Sequence, residues 1–163
     1  MSGNRRILSV VVFMLGLALA FGAGAGANIT PPPLSSNGAA ATPGELAIVR
    51  AMNAVRANNG VPALRVGRRL TRAARSHSVD MARRGYFDHG AFVARLRRFG
   101  VRAPYLGENL ATGTQPLSAA EIVAMWIASP PHRQNLLDRG FRRIGVGMAG
   151  SSTVLVTADF AGR

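Results

Sequence analysis

The most informative segment of this chain is Trp126-Ile127-Ala128-Ser129-Pro130-Pro131-His132-Arg133-Gln134-Asn135. Two shorter segments precede it, Tyr86-Phe87-Asp88-His89 and Gly107-Glu108-Asn109. The chain has only three His and seven acidic residues, and these segments contain two of the His and one Glu. Gly, Pro and Asn accompany the polar side chains, and such residues form tight turns. The segments are therefore typical of loops that present side chains rather than pack them.

In this order and context, the three segments resemble those of the CAP superfamily, the cysteine-rich secretory, antigen-five and pathogenesis-related-like proteins with an SCP domain. The form is the small, cysteine-free bacterial one, and the resemblance runs from about Glu45 to Arg163. It implies an α-β-α sandwich, in which a small antiparallel sheet lies between helices. It also implies a central cleft lined by two His and two acidic residues, which in some members bind a divalent metal.

Carried over by position, the resemblance assigns His89, Glu108 and His132 to this cleft. The second acidic residue normally follows the Trp by three positions, where this chain has Ser129. Residues three apart share a helical face, so we expect a hydroxyl in place of that carboxylate. Asn109 and Asn135 adjoin the cleft residues, and we expect their amides to bridge loop backbone behind them.

The resemblance also implies a metal site made by His89, His132 and Glu108, with zinc or another divalent cation as the ion. Two imidazoles and a carboxylate can form an open zinc site. Losing the second carboxylate removes a ligand-orienting group or a general base, so a bound metal would be weak or hydrolytically idle. The sequence itself requires no cofactor, because the three residues are far apart and no local pair such as H-x-x-x-H is present.

The remaining candidates are a serine nucleophile at the cleft and the third histidine of the chain. Ser129 and His132 could act as nucleophile and base, with Glu108 or His89 as the orienting group, but no G-x-S-x-G motif supports this reading. His77 lies on the apolar stripe of a predicted helix, which favours a hydrogen-bonded core or cleft-wall residue over a ligand. Trp126 is expected in the core.

The N-terminus has the pattern of an export signal. Arg5 and Arg6 precede an apolar run over 7–21, and small residues over 23–27 offer cleavage sites. We predict a signal peptide over 1–27, with an uncleaved anchor as the alternative, and a flexible Pro/Ser-rich linker over 28–41. The SCP-like domain then occupies 42–163. Either way the domain is expected outside the cytoplasm, secreted or associated with the cell envelope.

Composition limits the partners. Cysteine is absent, so the exported domain cannot use disulfides. The net charge is +13, and this positive field favours anionic envelope polymers, glycans or lipids as partners. Arg takes every position that Lys or Arg could take, which either suits two-pronged binding of phosphate and carboxylate or reflects a GC-rich coding bias. Nucleic acid is not expected, since the basic segments lack interleaved aromatics. Membrane contact is expected only through the N-terminal segment, if it is uncleaved. The Arg-rich segments 95–98 and 139–143 are either solvated faces or an anion-binding rim.

Local patterns predict an α+β domain. Capping boxes begin helices at Thr42 and Ser118, and a third helix spans 68–84, with Gly85 after it. Phe92, Leu96 and Phe99 indicate a short amphipathic turn. Strands are predicted at 144–148 and 153–160, joined by a hairpin turn, with another strand near 110–112.

Three functions remain open at this level. The first is binding or signalling at the envelope, through the cleft formed by His89, Glu108, Ser129 and His132. The second is a divalent-metal-dependent hydrolase or peptidase acting on peptide or cell-wall material. The third is a vestigial cleft, whose polar residues only hold the loops together. The missing carboxylate favours a binding module over an enzyme.

Overall fold

A computed structural model describes residues 40–163, so the export segment predicted over 1–27 and most of the linker lie outside the described residues. The described part contains the following helices and strands: α1 (Pro43–Asn58), β1 (Arg65–Val66), α2 (Arg68–Arg84), α3 (Phe92–Arg98), β2 (Tyr105–Thr114), α4 (Ala119–Ala128), α5 (Pro130–Leu137), β3 (Phe141–Ala149) and β4 (Thr153–Gly162). Among residues 40–163, none of the helices has the length and apolarity that crossing a bilayer requires.

Two of the helices begin at the capping boxes that the sequence predicts. The Thr42 hydroxyl accepts from the Glu45 backbone N–H, and the Glu45 carboxylate accepts in return from the Thr42 N–H at 2.7 Å. Ser118 and Glu121 form the same reciprocal pair at the start of α4. Helix α2 ends at Gly85, which adopts a left-handed conformation with φ of 67°. These contacts satisfy backbone groups that a helix terminus leaves unpaired.

The Pro130-Pro131 pair both ends α4 and begins α5. The sequence predicts only the first of these effects. Proline lacks an N–H and has a φ suited to the first helical turn, so it also favours a new helix. Helix α5 follows directly, with Ser129 as the residue shared by the two helices. This places His132 in the first turn of α5 rather than in a loop.

The sheet confirms the predicted α+β sandwich. Its strand order is β1-β3-β4-β2, with antiparallel pairing between β3 and β4 and between β4 and β2. The two-residue β1, which the sequence does not predict, pairs in parallel with β3 and makes the sheet mixed. Strand β2 therefore lies at one edge, where side chains from both helical layers can reach it.

The two faces of the sheet are covered differently. Helices α1, α4 and α5 enclose the larger apolar core, which contains Trp126 at 1% exposure. Helices α2 and α3 cover the opposite face. There, a Cβ on Gly145 or Gly147 would lie 2.1–2.2 Å from backbone atoms of α2. These two glycines allow the helix backbone to approach the sheet closely.

We expect Gly145→Ala to destabilise the domain by about 3 kcal/mol or more, because the new methyl group meets helix backbone that cannot rotate away. Gly67→Ala is the matched control, since its Cβ meets only the flexible end of Leu70, at 3.2 Å. Urea unfolding of both variants measures the difference. Similar free energies of unfolding for the two variants would contradict the close approach of α2 to β3.

Candidate functional site

The candidate site lies where the loop after α2 meets the edge strand β2 and the start of α5. Glu108 on β2 is 2% exposed, and its Oε1 lies 2.7 Å from Nδ1 of His89. A carboxylate only accepts hydrogen bonds, so Nδ1 of His89 carries the proton. His89 thus contacts Glu108 directly, and it lies near enough to His132 to lower the pKa of that ring.

The backbone of the site is held by the two asparagines. Asn109 donates from Nδ2 to the carbonyl of His132 at 2.9 Å. Asn135 donates from Nδ2 to Oδ1 of Asn109 at 2.9 Å and to the carbonyl of Glu108 at 3.2 Å. Both amides are at most 1% exposed. Their bonds join α5 to β2, and so set His132 beside the strand that carries Glu108.

His132 supplies a buried nitrogen that is available for bonding. The residue is 8% exposed, and within residues 40–163 its Nε2 has no hydrogen-bond partner. Burial lowers the pKa of His132, and the neighbouring His89 lowers it further. The ring is therefore held neutral, with one nitrogen able to accept and the other able to donate. A buried polar atom without a partner is costly in a folded protein and calls for an explanation.

Ser129 is half-buried at the junction of α4 and α5. Its backbone N–H donates to Met125, and its carbonyl accepts from Arg133. Within the described chain, its side chain makes no helix-capping bond, the Nε2 of His132 has no partner, and the two oxygens of Glu108 are engaged by His89 and Arg95. The arrangement therefore lacks the contact that a Ser-His nucleophile and base require.

Two residues that the sequence analysis does not assign complete the cluster. Arg95, read from the sequence as part of a solvated or anion-binding Arg segment, is 9% exposed and points inward. One of its nitrogens contacts Oε2 of Glu108 and lies 3.0 Å from Oδ1 of Asp159. Asp159 faces Glu108 directly across the β2–β4 pair, and is fully buried. The sequence does contain a sign of this role, because Asp159 is an acidic residue within the apolar strand Thr153–Gly162. A buried carboxyl group is costly unless it is paired, so a partner could have been expected.

Burial and crowding shift the protonation of this pair of carboxyl groups. Burial raises the pKa of Glu108 to about 7, opposed by the charge of Arg95. Burial also raises the pKa of Asp159 well above its ordinary range, and the neighbouring Glu108 raises it further. One guanidinium cannot fully balance two adjacent carboxylates in an apolar setting. The proton therefore resides on Asp159, and Glu108 carries the charge that faces His89.

His77 has a separate role. Its ring donates from Nε2 to the carbonyl of Asp88 at 2.8 Å and lies edge-on to Tyr86, with ring centroids 6.1 Å apart. Burial, followed by the charge of Arg95, lowers the pKa of His77 to about 4. The residue is therefore a neutral wall side chain that anchors the loop carrying His89.

The metal site that the resemblance implies at His89, Glu108 and His132 stays a prediction. Among residues 40–163, no group of three or more His, Cys, Asp or Glu side chains is placed to hold an ion. Both oxygens of Glu108 already accept, one from His89 and one from the cation of Arg95. A divalent ion at Glu108 would have to displace a buried ion pair and approach a positive charge.

We expect Asp159→Asn to gain stability over the wild type as pH rises. Folded wild type keeps a proton on Asp159 that the unfolded chain releases above about pH 4, so this residue lowers the stability of the wild type as pH increases. The amide of Asn can still donate a hydrogen bond, but it does not titrate, so this loss of stability is absent from the variant. Urea unfolding at several pH values between 4.5 and 7.5 should show a relative gain of about 1 kcal/mol or more, since one pKa unit corresponds to about 1.4 kcal/mol.

Asp88→Asn is the control for that measurement, because it makes the same change in charge at an exposed position. A pH-independent difference between Asp159→Asn and the wild type would show that Asp159 is ionised in the folded protein.

We expect calorimetric titration with Zn²⁺ at pH 7.5 to give no binding at micromolar concentration, because both oxygens of Glu108 are already engaged, one by His89 and one by the cation of Arg95. The His89→Ala/His132→Ala double variant should give the same weak heats as the wild type. Micromolar binding that disappears in this variant and weakens at pH 5.5 would instead establish a histidine metal site.

Comparison with known proteins supplies the family. The model of the cysteine-rich secretory protein family, CAP, matches residues 49–160. The uncharacterised protein YkwD of Bacillus subtilis is 34% identical over 124 residues, covering 73% of this chain and 47% of YkwD. The uncharacterised membrane protein YlbC of the same organism is 31% identical over 112 residues, covering 66% of this chain and 32% of YlbC. The chain thus spans less than half the length of either relative.

A solved structure agrees with this assignment. An extracellular protein of Bacillus anthracis containing an SCP domain superposes with a TM-score of 0.67 at 28% identity, covering 76% of this chain and 45% of that protein. The family model covers the segment that contains all four cleft positions, from His89 to His132. This chain therefore belongs to the CAP, or cysteine-rich secretory protein, family.

Proposed function

We propose that this CAP domain acts outside the cytoplasm, secreted or at the cell envelope, as a binding module whose cleft takes a polar ligand. The cleft is formed by His89, Glu108, Ser129 and His132. The export pattern at the N-terminus supports the location. The similarity to an SCP-domain protein of Bacillus anthracis that is extracellular also supports this location.

The observation that carries the proposal is the buried Nε2 of His132, which has no partner within residues 40–163. Ser129, the residue before α5, uses no side-chain hydrogen bond to cap this helix. A ligand with hydroxyl or amide groups, such as a glycan or peptide of the envelope, would supply the missing bonds. Such a bond inside a buried site contributes more than one exposed to water.

The hydrolase alternative is supported by one observation, the pKa of Glu108 near 7. A general acid or base works best with a pKa near the working pH. However, Glu108 is 2% exposed and both its oxygens are engaged, by His89 and Arg95. A base must reach the proton that it removes, so this carboxylate is better placed to orient His89 than to act on a substrate.

Histidine NMR of the full chain tests the binding proposal, because the three imidazoles report separately. On titration with soluble peptidoglycan fragments, we expect the ring signals of His132 and His89 to shift while those of His77 stay in place. His77 serves as an internal control, since its ring is already bonded to Asp88. His132→Ala should weaken binding by about tenfold, the loss expected for one buried hydrogen bond.

Other outcomes separate the alternatives. Turnover of the fragments that His132→Ala abolishes, with binding retained, would establish the hydrolase. If the ring signals do not change on titration, and His132→Ala lowers the stability of the domain without any other effect, the polar residues of the cleft have a purely structural role.

A further inference from the structure

A second concave surface lies away from the cleft, between α2 and the turn that follows α3. It is an open concavity of about 500 Å³, a volume within the range of small-ligand sites. The residues that line this arginine groove are Arg69, Arg72, Arg98, Phe99, Gly100 and Arg102. It shares no residue with the cleft, and its charged side chains are all cationic.

The fold holds two of the four arginines in place. Arg69 donates to the carbonyl of Gly100 at 3.1 Å. The guanidinium of Arg72 stacks over the ring of Phe99, 5.6 Å from its centroid. Gly100 has a φ of 75°, and the Arg69 guanidinium packs 3.6–3.7 Å from the position that a Cβ would take there. These contacts orient the side chains and reduce the entropy that a ligand would have to overcome.

The other two arginines lack counter-charges. Arg98 and Arg102 are exposed, and no ion pair within residues 40–163 involves either. The acidic side chains all bond elsewhere: Glu45 to Arg75, Asp80 to Tyr86, Asp88 to Gly90, Glu108 and Asp159 to Arg95, Glu121 to Ser118, and Asp138 to Tyr105. The groove is therefore a concentration of positive charge that the protein does not neutralise, and such a concavity attracts anions.

The shape and side chains favour phosphate. A guanidinium binds phosphate through two parallel hydrogen bonds, and several guanidinium groups can surround one tetrahedral anion. The volume exceeds that of one phosphate and suits several linked ones. The two large hydrophobic side chains that are exposed in the described chain, Val66 and Met125, lie outside the groove. The apolar side chain of the lining, Phe99, is half-buried and covered by the guanidinium of Arg72. It is not free to insert into a bilayer, so a soluble polymer fits better than a lipid surface.

We propose that the arginine groove binds a soluble polyanion through its phosphate groups. Calorimetry of the full chain with inorganic tripolyphosphate tests this in about 100 mM salt, where charges more than about 10 Å apart are screened. We expect Arg98→Gln/Arg102→Gln to weaken binding by about tenfold or more. The matched control is Arg50→Gln/Arg83→Gln, which removes the same charge from exposed positions outside the groove. It should weaken binding by less than about threefold.

Three outcomes would overturn the proposal. Equal weakening in the two double variants would assign binding to the general field of the protein. Citrate binding as tightly as tripolyphosphate would remove the preference for phosphate. Groove-dependent binding to anionic phospholipid vesicles, without binding of tripolyphosphate, would make lipid the ligand. Melting temperatures of both variants equal to that of the wild type verify that only the surface has changed.

Discussion

The site depends on one buried cation, Arg95, set between the carboxyl groups of Glu108 and Asp159. This contact joins α3 to the two neighbouring strands β2 and β4. Removing the cation would leave the charge of Glu108 uncompensated in the interior, which typically costs about 3–5 kcal/mol. The charge of Arg95 also opposes the rise that burial causes in the pKa of Glu108, and its contact with Oε2 leaves Oε1 directed at His89. The orientation of the first cleft histidine therefore depends on a residue that is itself outside the cleft.

Buried arginines perform a similar joining role elsewhere in this cysteine-free domain. Arg56 on α1 donates to the carbonyls of Pro62, Leu136 and Phe141, which links α1 to the end of α5 and the start of β3. Arg75 on α2 pairs with the capping residue Glu45 of α1, with an N–O distance of 2.5 Å. The guanidinium has five donors in a planar fork, so one side chain can hold several acceptors from separate elements. These contacts tie the layers together, whereas many small secreted domains use disulfides.

Helix α3 contributes one arginine to each of the two regions for which we propose ligands, the cleft and the arginine groove. Its Arg95 points into the carboxyl cluster beneath the cleft, and Arg98, one turn later, lines the arginine groove. Both are arginines in one short helix, but their surroundings give them opposite roles. The first is neutralised by two carboxyl groups of the interior, whereas the second has no acidic partner in the described chain.

The sequence by itself determined the elements whose signals are local. Capping boxes, Gly85 and apolar periodicity are properties of neighbouring residues, so α1, α2, α4 and the β3–β4 hairpin could be predicted from them. The family pattern supplied His89, Glu108 and His132. Only the tertiary structure decided the rest. Strand β1 has two residues, too few to show an alternation of apolar and polar side chains. Pro130-Pro131 predicts the end of α4 more clearly than it predicts the start of α5. Arg95 and Asp159 meet across 64 residues of chain. Their burial, and the shifted pKa values that follow, exist only once strands and helix have packed, because desolvation is a property of the assembled interior.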